Sequence, residues 1–547
     1  MKNYFAHHDY KAEENSVLDV IKLSEIVDVK KYNLKNCWIN VGGWQSWNPG
    51  FEVEPGKKQD ALKCHFIKGW NRYLVFPETE YEASKNIVLG QFVSYLRWDD
   101  FYLVFASVGN VSNVLPPVQF IFNRKENTIS IEIYDKGNQW KKDELLAQIE
   151  WFTAQSYFEC KDKLSGIFGT QQFEAVEHLG NFPSGWESWY NHYSNIDEKL
   201  ILNSLSALST KENIISRGTF SSKIFQIDDG WEQALGEWTV RKDRFPEGLS
   251  SIVEKIENKG YIPGLWLAPF IIDERCKTAI EHPDWILCDF KGEKIISGFN
   301  PLWGEKGNFY CLDLSNEEVI SYLDSVMERT INEWGFRYLK LDFLYAGMFY
   351  GKYSNPTSAF KAYNRAVKVL TSRKVNKNGK KISYLGCGVP FEASFNYFPL
   401  SRIGCDTLEH WSNEKLRIIN WNGRNEAYLN IKDTLGHALW NKTIFLNDPD
   451  VVFIREKKCS LTSEEKLLIG KINAIFGSQF MYSDDPDEET TEKEKIIISE
   501  LIEFINKYKN MEFGIKQVSK DLYQIFNLDK SVTAELNIGK KHYLKIN

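Results

Sequence analysis

The sequence predicts a multidomain α/β plus β protein: an N-terminal β-sandwich, a central (β/α)8 TIM barrel and a small C-terminal β-domain. Three observations carry this. At 547 residues the chain is too long for a single hydrophobic core. Its texture changes twice, from short β-rich runs to apolar runs alternating with helical segments, and then back to β-rich runs. No Gly-rich GxGxxG turn follows any apolar run, so a closed barrel fits better than an open dinucleotide-binding sheet. The expected limits are residues 1–160, 180–485 and 486–547.

In the first part, QFVSYLRWDDFYLVFASV (Gln91 to Val108) and TISIEIYD (Thr128 to Asp135) read as strands of an antiparallel sandwich. In the second, the strands are KIFQID from Lys223, YIPGLWLAP from Tyr261, FRYLKLDFL from Phe336, ISYLGCG from Ile382, TIFLND from Thr443 and QFMYSDD from Gln479. Their near-continuous apolarity suits strands covered on both faces. Between them, Ser315 with Glu318 predicts a capping box, followed by Val319, Leu323, Val326 and Trp334 at near-helical spacing and a stop at Gly335. Gly260 ends the segment that begins at Leu249. The third part opens with a charged link and an amphipathic helix, Lys495 to Asn510, before a short β-rich tail.

Composition narrows the function. A formal charge of −7 with no clustered basic run excludes a nucleic-acid partner. No apolar run approaches the roughly 18 residues of a membrane span. The start of the chain lacks the charged and apolar regions of a signal peptide, which predicts a cytoplasmic protein. Nine cysteines without a CxxC pair argue against disulfides and zinc, so no metal and no cofactor are expected. The 18 Trp, 26 Tyr and 35 Phe would suit sugar stacking, but large cores use aromatics as heavily.

Acidic and aromatic residues gather where strands end, the face at which a barrel presents its chemistry. Asp228 and Asp229 end the second strand, Trp266 the third, Lys340 and Asp342 the fourth and Cys387 the fifth. Arg402 and Asp406 stand in SRIGCDT. One Asp after a strand is ordinarily a turn former or a helix cap. Several together, without metal-binding His, point to glycoside hydrolysis by two carboxyl groups.

The ordered series GWQSW (Gly43 to Trp47), GWESWY (Gly185 to Tyr190), FQIDDGW, PGLWLAPF, LKLDFLYAG, LGCG (Leu385 to Gly388), RIGCDT and LNDPD (Leu446 to Asp450) resembles glycoside hydrolase family 36. The likeness is to the compact bacterial α-galactosidases of that family. The resemblance implies a retaining α-galactosidase acting on oligosaccharides such as melibiose and raffinose through a covalent galactosyl-enzyme. It implies Asp342 as nucleophile and Asp406 as acid/base. Asp228 and Asp229 would hold galactose hydroxyls, with Trp266, Lys340, Cys387 and Arg402 around the sugar and Trp47 closing the pocket from the N-terminal domain. Gly388 would border the sugar's 2-position. The GGGRxD stretch of larger members is missing, and Val389 to Ser401 differs.

The residues' own chemistry runs the same way. Lys340 and Asp342, two apart on one strand face, would pair and keep the nucleophile ionised, while the acid needs a raised pKa. Asp228 and Asp229 both reach one sugar only if the chain bends after Asp228. The acidic NDPD at Asn447 to Asp450 reads as a structural turn. Among Trp44, Trp186 and Trp189, Trp189 is read as lining the pocket. The expected partner is a small α-galactoside, with homo-oligomer formation left open. A galactosyl transglycosylase, an α-N-acetylgalactosaminidase and a non-catalytic sugar-binding protein stay open as alternatives.

Overall fold

The computed structural model describes residues 5–11, 17–48, 50–59, 83–133, 140–217, 220–300, 303, 307–412 and 425–547. Tyr134 and Asp135, the end of one expected strand, lie outside them. Two antiparallel sheets open the chain. One has six strands in the order Phe5–Lys11, Leu145–Ala154, Phe101–Ser107, Val93–Trp98, Trp38–Asn40 and Glu52–Val53. The other has four, Val17–Lys22, Thr128–Ile133, Val118–Asn123 and Ile87–Gln91. Alternating side chains from both meet in one core: Leu96, Leu103, Phe105 and Ile149 against Val88, Phe120, Phe122 and Ile131. Burying these apolar faces against each other is what stabilises a pair of sheets. The 160 limit falls inside the helix Tyr157–Phe168, capped by the Ser156 side chain.

The central region is a curled parallel sheet. Its strands run Ser184–Glu187, Lys223–Ile227, Ile262–Leu267, Tyr338–Leu341, Ser383–Gly386, Leu400–Arg402, Leu446–Asp448 and Phe480–Tyr482, here ring strands one to eight. Each of the first six pairs in parallel with the next. Among the described residues strand seven pairs only with strand six; the adjoining Val451–Val452 pairs with strand eight, which pairs with strand one. The sheet's two edges are thus halves of one chain segment, parted by Pro449 and Asp450, and the ring closes through them. Asp450 sits at φ 77°, a left-handed geometry that a short polar residue tolerates. The expected NDPD turn is therefore the hinge of strand seven.

Helices between ring strands include Glu198–Thr210, Leu249–Asn258, Glu317–Glu328, Ala359–Leu370, Ala427–Gly436 and Ser463–Phe476. Gly260 and Gly335, at φ 80° and 93°, stop the chain where expected. The capping box does not form. Asn316 caps the helix, its side chain accepting from the Glu318 amide, while the Ser315 hydroxyl donates to Asp313 Oδ1 at 2.7 Å. The buried Asp313 carboxylate orients the Ser315 hydroxyl, and the oxygen that the cap would have used accepts instead from the Asn355 amide at 3.0 Å. A three-stranded sheet, Ile271–Ile272, Ile296–Phe299 and Asn308–Cys311, is inserted between ring strands three and four. The tail is the helix Glu492–Tyr508, with a Thr491–Glu494 capping box, and a four-stranded antiparallel sheet from Phe513 to Ile546.

Candidate active site

The C-terminal ends of the ring strands bring most of the expected residues together. Asp342 follows strand four directly and is 7% exposed. Trp266 Nε1 donates to its Oδ2 at 3.0 Å and the Phe343 amide to its Oδ1 at 2.8 Å, which fixes the carboxylate's orientation. Strand registry explains the first bond: Trp266 pairs with Lys340, so Asp342, two residues on and on the same face, stands one layer above it, within reach of the long indole.

Lys340 differs from expectation. Its ammonium donates to Asp228 Oδ2 at 3.0 Å, and Asp342 is its lesser partner. Asp228 wins because it leaves ring strand two only 1% exposed, with Gln226 Nε2 donating to the same oxygen at 2.7 Å. Burial alone would lower the Lys340 pKa; Asp228, with Asp342 and Glu187, outweighs it and keeps the ammonium charged.

The bend expected after Asp228 is present. The Asp229 amide donates to Asp228 Oδ1 at 3.0 Å, and Gly230 adopts φ 113°, where a Cβ would lie 2.5 Å from the Ser194 carbonyl oxygen. Asp229 Oδ2 accepts from Trp303 Nε1 at 2.7 Å. Burial first, and then the neighbouring Glu232, push the Asp229 carboxyl well above the usual range. Two adjacent buried carboxyls relieve their repulsion by holding a proton.

Asp406 lies past ring strand six, its side chain 31% exposed. Burial of the remainder, then the Asp450 and Asp342 charges, push its pKa up to about 7 against the opposing Arg402 and Lys340. Arg402 is the hub of this side: its Nη1 is 3.2 Å from Asp406, its Nε 2.8 Å from Asp448 and its Nη2 2.8 Å from Asp450. Asp450 also accepts from the Thr407 amide at 2.9 Å and bonds the Tyr190 hydroxyl.

Cys387 is fully buried beyond ring strand five, its thiol pushed well up by burial and by Asp342. Gly388 adopts φ +59°, and a Cβ there would come within 3.2 Å of Trp47 Cη2 and the Phe343 backbone. Trp47 comes from the N-terminal sheets and meets Phe343 and Tyr345 edge-on, at 5.1 and 5.6 Å between centroids. It is carried in by a seam in which Ser46 N donates to the Val389 carbonyl (3.1 Å), Val389 N to Ser46 Oγ (2.9 Å) and Phe391 N to the Trp44 carbonyl (3.0 Å). The Trp189 amide donates to Glu187 Oε2 at 3.3 Å, and its half-buried ring meets Tyr193 edge-on at 5.3 Å. Trp186 is core, its indole donating to the Asp484 carbonyl.

Sequence reasoning missed Glu187, Glu232, Trp303, Asp448 and Asp450 as parts of the site. Glu187 stands inside GWESWY and Asp448 and Asp450 inside LNDPD, so strand-end position could have found them. Trp303 comes from the inserted sheet, and no spacing announces it. Among the described residues no group of His, Cys, Asp and Glu could hold a metal ion, and no helix is long and apolar enough to cross a membrane. The eight described cysteines are free thiols.

The Melibiase family model matches residues 183–366. "Alpha-galactosidase C" of Emericella nidulans is 26% identical over 167 residues, 29% of this chain and 21% of that protein. The chain's matches thus span about a fifth of the length of such curated relatives. The solved α-galactosidase TtGalA from Thermus thermophilus, in complex with p-nitrophenyl α-D-galactopyranoside, superposes with a TM-score of 0.69 at 25% identity, covering 90% of each chain. The GH36 α-galactosidase AgaA of Geobacillus stearothermophilus shares the fold at 15% identity (TM-score 0.60, 92% of this chain and 66% of that one). Residues 183–366 carry a melibiase-family domain, in a chain that resembles the α-galactosidases of glycoside hydrolase family 36.

Proposed function

We propose that the protein is a retaining α-galactosidase that removes terminal α-galactosyl residues from small oligosaccharides such as melibiose and raffinose. The observation that carries this is a pair of carboxyls from ring strands four and six kept for different tasks. Asp342 is clamped by two hydrogen-bond donors with lone pairs to spare, and Asp406 is held near the pKa of about 7 that a neutral-pH proton donor needs.

In this reading Asp342 attacks C1 while Asp406 protonates the leaving oxygen. A galactosyl ester forms on Asp342 as the glycosidic bond breaks. Asp406, now ionised, takes a proton from water as that water attacks C1, which frees Asp342 and returns galactose with its configuration retained. Asp228 and Asp229 grip sugar hydroxyls. A buried polar pair of this kind discriminates against the epimer that leaves it unsatisfied. Trp266 and Trp47 would supply apolar walls, with Lys340, Arg402, Cys387 and Gly388 shaping the rest. We read the three units as 1–160, 180–485 and 486–547, with helix Tyr157–Phe168 as the first joint, and the free thiols as suited to the cytoplasm.

A panel of aryl glycosides, with NMR detection of the first-formed anomer, tests sugar and stereochemistry together. Aryl α-galactoside is expected to be cleaved with α-galactose appearing first. The β-anomer first would remove the nucleophile from Asp342, and no cleavage of any α-galactoside would remove the activity itself.

A further inference from the structure

Ring strand one ends on Glu187, a carboxyl only 3% exposed that the mechanism above does not use. It is in register with Gln226, two residues before Asp228, so it points into the ring one layer deeper than Asp228. Its Oε2 accepts from the Trp189 amide at 3.3 Å, while its Oε1 is buried with no hydrogen-bond partner among the described residues. The charged and titratable groups facing it are Asp228 from strand two, Lys340 from strand four, Asp450 from the strand-seven hinge and Tyr190 from the turn after strand one; the Ser483 hydroxyl beyond strand eight donates to its backbone carbonyl at 2.8 Å.

Counting charges shows the difficulty. Glu187, Asp228, Asp342, Asp406, Asp448 and Asp450 surround two cations, Lys340 and Arg402. Arg402 binds three of these carboxyls and Lys340 bonds Asp228, so Glu187 is left without a bonded cation where an unpaired ion is costly.

We propose that Glu187 is a positioning residue for the sugar. As a neutral acid it leaves the Lys340 ammonium to Asp228 and Asp342; once ionised it draws Lys340 away and loosens the grip of Asp228 on galactose. Burial, followed by the Asp228 and Asp450 charges, pushes the carboxyl up to about 8 despite the nearby Lys340, so the neutral form prevails at pH 7. The proposal rests on the galactosidase reading. Galactose prefers the protein with Glu187 neutral, so binding raises the Glu187 pKa and affinity falls as pH rises through about 8.

The test is galactose affinity of the full chain by calorimetry, from about pH 6.5 to about pH 9.5, for wild type and Glu187→Gln. Wild type is expected to lose roughly tenfold in affinity over that range. The Gln variant, permanently neutral, should match wild type at the acid end and lose clearly less at the alkaline end. Groups other than Glu187 that titrate in this range act in both proteins and cancel in the comparison. Equal pH dependence in the two proteins, or a Gln variant already weak at the acid end, overturns the proposal while leaving the galactosidase reading standing. Absence of galactose binding at every pH overturns both. Should Glu187→Gln fail to fold, wild type decides alone: calorimetry near pH 8 in buffers of different ionisation enthalpy must show proton uptake on binding, and no uptake overturns the role.

Discussion

Asp450→Asn isolates the charge that, after burial, does most to keep Asp406 protonated. Both carboxyls bond the Arg402 guanidinium, Asp406 at 3.2 Å and Asp450 at 2.8 Å, from different nitrogens. Adding the span of the guanidinium puts the two charges about 8 Å apart, and at an effective dielectric of about 20 they repel by roughly 2 kcal/mol, or about 1.5 pH units. Removing the Asp450 charge also turns Arg402 more fully towards Asp406, which acts in the same direction. The Asp406 pKa should therefore fall from about 7 to roughly 5.5. An Asn oxygen can still accept from the Thr407 amide, so the strand hinge keeps that bond.

The assay is the pH profile of kcat/KM on a galactoside with a poor leaving group, beside an aryl galactoside that departs unassisted. At pH 7 the protonated fraction drops from about one half to roughly 3%, so the first substrate should slow about 15-fold. Near pH 5 the two proteins should nearly agree, and the activated substrate should change little. An alkaline limb that stays at pH 7, or moves upward, refutes the assignment of Asp406 as acid and of Asp450 as the group that tunes it.

Three further outcomes follow from the same structure. Asp342→Gly should abolish turnover, and added azide should restore cleavage of an activated α-galactoside as β-galactosyl azide, identified by NMR; an α-azide, or no rescue, would point to another nucleophile. Ser46→Ala strips the buried Val389 amide of its acceptor and should cost about 1–3 kcal/mol in thermal unfolding, with KM raised because Trp47 rides on that seam. Glu392 joins the sandwich to the ring, accepting from Ser107 Oγ at 2.5 Å and from the Val118 amide at 2.9 Å, and burial pushes its carboxyl up to about 7. Because this folded pKa exceeds the unfolded one, the stability it confers is full below about pH 4.5 and fades by about 3 kcal/mol as pH rises to 7. Denaturant unfolding of Glu392→Gln should lack that slope.

The residues that the chain's local pattern exposes are those at strand ends. An apolar run stopped by Asp, Trp or Cys is visible as it stands, which is how Asp228, Trp266, Asp342 and Cys387 were placed. The stops at Gly260 and Gly335 were equally visible, because a left-handed residue after a helix calls for glycine. The cap at Asn316 was not. Ser315 satisfies the capping pattern equally well, and only the buried Asp313 that orients its hydroxyl and the distant Asn355 amide that takes its oxygen decide the cap.

Sequence alone determined that Asp228, Trp266, Asp342 and Cys387 stand at strand ends, since strand period and strand ends are properties of a few consecutive residues. Tertiary structure decided how their charges are shared. Lys340 is two residues from Asp342 yet bonds Asp228, 112 positions away. Arg402 gathers Asp448 and Asp450 from the next strand, and Trp303 descends from an inserted sheet onto Asp229. Coulomb energy depends on separation in space and on burial, and neither is a function of separation along the chain.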